Sequence, residues 1–101
     1  MVDFNEPRWR KPTPQENGRI QETRIVKSRG GRPHPGSGSG RIRFDGSSED
    51  EVIEAKTAAK TFAMNRSYIA TLYDVAVRQG KEPVLVIEFP GYRCVVHIER
   101  T

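Results

Sequence analysis

Residues Pro83–Phe89 enclose the run Val84-Leu85-Val86-Ile87, and Pro90-Gly91 turns the chain directly after it. An unbroken apolar run of strand length suits a central strand covered on both faces, where alternation is not needed. Such a strand requires a layer of structure on each side of a sheet. The flanking segments supply candidates. Ser67–Gln79 carries Ile69, Leu72, Tyr73 and Ala76 at helical spacing, with Ser67 as a possible cap and Gly80 as a stop. Glu51–Thr57 reads as a strand before that helix, so a strand, helix, strand unit between Glu54 and Val84 predicts a parallel, right-handed crossover. Tyr92–Ile98, with Val95, Val96 and Ile98, reads as a last strand.

Upstream, Thr13, Pro14 and Glu16 make a helix start, and Gly30-Gly31 an end, so a helix is expected from about Thr13 or Pro14 to Arg29. Asn17-Gly18 argues for a later start. Arg41–Asp45 alternates as a half-buried strand, and Gly46-Ser47-Ser48 reads as the turn of a hairpin with Glu51–Thr57. The expected order is helix, strand, strand, helix, strand, strand: an α/β fold with a mixed central sheet flanked by helices. Before it, residues 1–14 form a proline-rich basic arm in which Arg8, Arg10 and Lys11 surround Trp9. It suits phosphate contact and base stacking or, equally, an ordinary packed or disordered terminus. Residues 15–101 are expected to be one domain containing a Gly/Ser loop at 33–40. That loop is a linker by composition or, alternatively, a loop whose backbone approaches a phosphate.

The chain has 101 residues and a net charge of +4, distributed unevenly. Residues 1–44 hold ten basic and four acidic residues; residues 45–101 hold seven and nine. A basic first half suits a polyanion such as nucleic acid, although solubility alone would explain a charge of this size. Cys94 is the sole cysteine, which excludes an internal disulfide and a multi-cysteine zinc site. No apolar run approaches a membrane span and no signal peptide follows Met1, so a cytoplasmic location is expected.

The residues suited to chemistry lie in Val52-Ile53-Glu54-Ala55-Lys56. On a strand, Glu54 and Lys56 share one face, while Ile53 and Ala55 share the other. A hairpin would return Asp45, nine residues earlier, beside Glu54. Two carboxylates offer the hard oxygen ligands that Mg²⁺ or Mn²⁺ prefers. A metal held there lowers the pKa of water, and an adjacent ammonium stabilises charge developing on a phosphate. The bland alternative is a solvated Glu/Lys pair with Asp45 starting a turn. Asp50 and Glu51 compete with Asp45 as the first acid, but Asp50 is too close to Glu54 to span a hairpin.

The order Glu22, Gly30-Gly31-Arg32, Pro35-Gly36-Ser37-Gly38, Asp45, Glu54-Ala55-Lys56-Thr57 and Pro83–Phe89 resembles the PD-(D/E)xK nuclease superfamily, and within it the archaeal and phage-type Holliday junction resolvases. The resemblance covers about Gln21 to Ile98. It departs at the first acid, where Arg43-Phe44 precede Asp45, and in its long Gly/Ser run. It implies a restriction-endonuclease-like core and a homodimeric, Mg²⁺-dependent endonuclease cutting four-way DNA junctions. It also implies roles: Asp45, Glu54 and Glu22 as metal ligands, Lys56 as the catalytic lysine, and Ser37 as a loop serine near the scissile strand. Arg24, Arg29 and Arg32 are candidate phosphate contacts from charge and place. A duplex or single-strand nuclease and a non-catalytic DNA-binding module are the alternatives. His34 is expected to be solvated, His97 structural, Cys94 a small core residue, and Tyr68 and Tyr73 packed.

Overall fold

The computed structural model describes residues 13–34 and 44–101. The expectations for Arg8, Arg10, Lys11, Ser37 and the strand residues Arg41–Arg43 lie outside these residues. Helix α1 spans Pro14–Ser28. Its start is a reciprocal capping box: the Glu16 N–H donates to Thr13 Oγ1 at 3.1 Å, and the Thr13 N–H donates to Glu16 Oε2 at 3.4 Å. Thr13 and Pro14 therefore belong to the helix rather than to an arm. Asn17-Gly18 does not delay it, because two satisfied end donors and a first-turn proline offset the weak propensity of one glycine.

Two short strands follow, β1 (Arg32–Pro33) and β2 (Gly46–Ser47), then β3 (Glu51–Thr57), helix α2 (Arg66–Arg78), β4 (Glu82–Phe89) and β5 (Tyr92–His97). They form one mixed sheet in the order β1-β2-β3-β4-β5. The β3/β4 pair is parallel, from Glu51↔Glu82 to Thr57↔Glu88, and the other neighbours are antiparallel. Two expectations need correction. Arg32-Pro33 was assigned to a loop but is an edge strand, where a proline's missing N–H costs no ladder bond. Gly46-Ser47 was assigned to a turn but is the strand that pairs with Val52 and Ile53.

Alternation along β3 and β4 divides the core. Ile53, Ala55, Val84 and Val86 pack beneath Ile25 and Val26 of α1. Val52, Leu85 and Ile87 pack with Leu72 and Ala76 of α2 and with Phe44. The central strands are thus covered on both faces. The cap of α2 is Asn65, not Ser67: its Oδ1 accepts from the Ser67 and Tyr68 N–H groups. Neither helix packs substantially on β5, so Cys94 is exposed rather than in the core. Tyr68 meets Phe44 edge-on, with ring centroids 5.6 Å apart. Among the described residues no helix is long and apolar enough to cross a membrane.

Gly46 is where α1 and β1 press closest on the β2–β3 hairpin. A Cβ there would lie 2.4 Å from Val26 Cγ1 and 2.5 Å from the Arg32 carbonyl oxygen. The backbone contact cannot rotate away, so Gly46→Ala should destabilise the fold by about 1–3 kcal/mol, as overpacking does. Thermal denaturation checks this; an unchanged midpoint would mean the approach is looser than described.

Candidate active site

The register of the β2–β3 hairpin positions the first two acids. Gly46 pairs with Ile53, so Asp45 arrives opposite Glu54. The ladder ends there and side chains take over. The Asp45 N–H donates to Glu54 Oε1 at 3.3 Å, and Asp45 Oδ2 accepts from the Ala55 N–H at 2.7 Å. Lys56 projects on the same face as Glu54, with its Nζ 3.6 Å from Glu54 Oε2. Glu54 is 5% exposed, whereas the Lys56 side chain is 39% exposed. The amine therefore stands between the buried acid and solvent.

The third acid comes from α1. Glu22 precedes Ile25 by three residues and Val26 by four, so it shares their sheet-facing stripe one turn nearer the helix start. It comes near enough to Asp45 for that carboxyl to raise its pKa. Asp45 thus acts on both Glu22 and Glu54. Burial, then the hydrogen bond and charge of Asp45, push the Glu54 carboxyl up to about 9, against the lowering effect of Lys56. Burial and Asp45 likewise push Glu22 up to about 7, opposed by Lys56 and Arg19. Both shifts favour the protonated acids, which lessens charge crowding at the cluster.

The three carboxyls carry hard oxygens of the kind that Mg²⁺ or Mn²⁺ prefers, and the Lys56 ammonium adds charge but no ligand. A divalent cation would supply the neutralisation that protons now provide. Among the described residues no group of three or more His, Cys, Asp or Glu side chains is spaced to hold a metal ion.

The competing acids are placed elsewhere. Asp50 is exposed beside the turn, and its carbonyl accepts from the Glu82 N–H at 2.8 Å. Glu51 accepts twice from Arg29, at 3.0 and 2.8 Å. That half-buried bidentate pair ties the end of α1 to the start of β3, so Arg29 is a structural clamp rather than a free phosphate contact. Arg32 is exposed beside Ser47, Ser48 and Lys81, at the start of β3 and β4 rather than at the acid cluster. Arg24 lies toward the cluster end. It pairs with Glu88, which also takes Arg93 at 2.8 Å. Arg93 and Arg24 together hold the Glu88 carboxyl below its ordinary range.

His34 is not simply solvated. Its Nδ1 lies 2.7 Å from the Phe44 carbonyl oxygen and its Nε2 lies 3.0 Å from Ser47 Oγ. A carbonyl only accepts, so Nδ1 carries a proton. The His34 backbone N–H also donates to the Asp45 carbonyl at 2.8 Å. These bonds hold the chain on either side of Asp45, which makes His34 a positioning residue. Only its place two residues after Arg32 and eleven before Asp45 could have hinted at this. Arg19, one turn before Glu22, and Arg93 were also missed. His97 is exposed on β5 and meets Glu82 at 2.7 Å, away from the acids.

No family model, curated protein or solved structure matches this chain.

Proposed function

We propose that the chain is a Mg²⁺- or Mn²⁺-dependent DNA endonuclease of the PD-(D/E)xK type, with a restriction-endonuclease-like core, acting as a homodimeric resolvase of four-way junctions. The observation that carries this is the convergence of Asp45, Glu54, Lys56 and Glu22, residues spread over 35 positions of chain, at one rim of the sheet. A solvated Glu/Lys pair would not bury Glu54 beneath its own lysine or set it against the Asp45 carboxyl.

Asp45 and Glu54, with Glu22, would hold the metal. When bound, the ion neutralises phosphate charge and makes its water a better nucleophile. Lys56 faces solvent from the rim of this cluster, so a phosphate reaching the acids meets its ammonium first. There the ammonium orients the attacking water and stabilises charge on the phosphate oxygens. Arg24 and Arg93 lie toward the same end of the sheet and can guide the flanking backbone, since together they exceed the charge of Glu88. A two-fold protein matches the paired strands of a four-way junction.

The test compares a four-way junction, a flap, a linear duplex and a single strand incubated with the protein and Mg²⁺ or Mn²⁺. Junction cleavage should dominate, and Lys56→Ala should slow it about 100-fold or more while melting like wild type. Intact DNA in every lane, or a Lys56→Ala protein cutting at the wild-type rate, would sink the proposal. Preferential cutting of duplex or single strands would retain the chemistry and replace the substrate.

A further inference from the structure

Beside the acid cluster, on the α2 side of the sheet, lies a groove of about 580 Å³. Lys56 is among its lining residues; Phe62, Met64, Tyr68, Ile69 and Leu85 supply its apolar wall. We propose that this groove receives an unstacked nucleobase from the DNA strand being cut. The inference rests on the nuclease reading and deepens it, because it specifies what the substrate must offer next to the scissile phosphate.

Lys56 belongs to both places. It stands 3.6 Å from Glu54 on one side and lines the groove on the other. A phosphate held at Lys56 therefore brings its own nucleotide to the mouth of the groove. The walls suit a base. Phe62 and Tyr68 are aromatic, and Met64 is an adaptable thioether that is 54% exposed and so free to close on a ligand. Stacking on aromatic faces is how proteins hold single-stranded bases without reading sequence. No acidic side chain lines the groove, so nothing in it repels a polyanion.

Tyr68 adds a second observation. Its hydroxyl is closed off from solvent and has no hydrogen-bond partner among the described residues. Buried polar groups are normally satisfied. A base carries donors and acceptors along its edge and can supply the missing partner when it displaces the wall slightly.

A base inside regular duplex is stacked and paired, and extracting it has an energetic cost. At a branch point the strand exchanges partners, and bases there are the easiest to unstack. The groove thus favours branched or unpaired DNA through recognition of one displaced base, without any base-specific contact.

The test uses full-length Asp45→Asn protein, in which loss of one carboxylate should prevent cutting, and fluorescence anisotropy on junctions carrying one tetrahydrofuran abasic site at successive positions around the branch. At one position, removing the base should weaken binding about tenfold. That penalty should shrink severalfold when Met64→Ala is added, because the base then loses one of the side chains that hold it against the aromatic wall. Met64 is exposed, so its replacement leaves the core intact, which an unchanged melting midpoint confirms; Tyr68→Phe, which keeps the stacking ring and loses only the hydroxyl, should retain part of the penalty and lose the part carried by the base edge. Equal binding at every abasic position, or a penalty that persists undiminished in Met64→Ala, overturns the proposal. Failure of the protein to bind any of these DNAs sinks the nuclease reading itself, and this one with it.

Discussion

Glu54→Gln should abolish cleavage and at the same time make the protein more stable at alkaline pH. Glu54 is almost fully buried against Asp45, and its carboxyl is pushed from about 4.5 to about 9. A raised folded-state pKa means that the fold favours the protonated form. Its contribution to stability is complete below the unfolded pKa and is lost progressively as pH rises toward the folded one. Between pH 4.5 and pH 8 the loss is on the order of several kcal/mol, at about 1.4 kcal/mol per pH unit. Glutamine has the same shape, accepts from the Asp45 N–H and never ionises. Its melting midpoint should therefore match wild type near pH 5 and exceed it by more than about 5 °C at pH 8. Melts at both pH values decide the matter. A difference that ignores pH, or a variant destabilised throughout, would show that Glu54 does not bear the buried proton. The cleavage rate should fall by at least about 100-fold, since one carboxylate ligand is gone.

The second large effect concerns divalent cations. Mg²⁺ or Mn²⁺ should raise the melting midpoint of the wild-type protein, and the rise should grow from pH 6 to pH 8.5. Ligation requires ionised carboxylates, so the ion displaces protons from Glu22, at about 7, and from Glu54, at about 9. Higher pH removes that competition. At one hundred times the dissociation constant, binding stabilises by about 2.7 kcal/mol, or roughly 10 °C or more for a domain of this size. Calorimetry in buffers of different ionisation enthalpy should register the released protons. Asp45→Asn should blunt the response most, because Asp45 acts on both other acids. A cation effect that is absent, or unchanged in Asp45→Asn, would count against the metal site.

The long elements were legible because their signals are local. The apolar run at Val84–Ile87, the strand around Glu54 and the Thr13/Glu16 cap each declare themselves within a few residues, and alternation alone placed Glu54 and Lys56 on one face. The short strands were not legible. Gly46 and Ser47 are turn residues by composition, yet Gly46 sits in a strand because α1 and β1 press against it. That constraint comes from residues far along the chain. For the same reason Arg29 could not be distinguished from a phosphate contact: its partner, Glu51, is 22 positions away. Cys94 has the size and polarity of a core residue, and only the sheet order shows that β5 lies beyond the cover of either helix. Ser67 and Asn65 are both competent caps, and the backbone decides between them.

The bonds made by His34 have a further consequence. The His34 N–H reaches the Asp45 carbonyl, and its ring reaches the Phe44 carbonyl and Ser47, so the two ends of the intervening stretch are fastened together at its base. Loop-closure entropy grows only slowly with length. The number of residues between His34 and Phe44 is thus largely decoupled from where Asp45 sits. Changes in the number of residues there should leave the acid at its foot in register with Glu54.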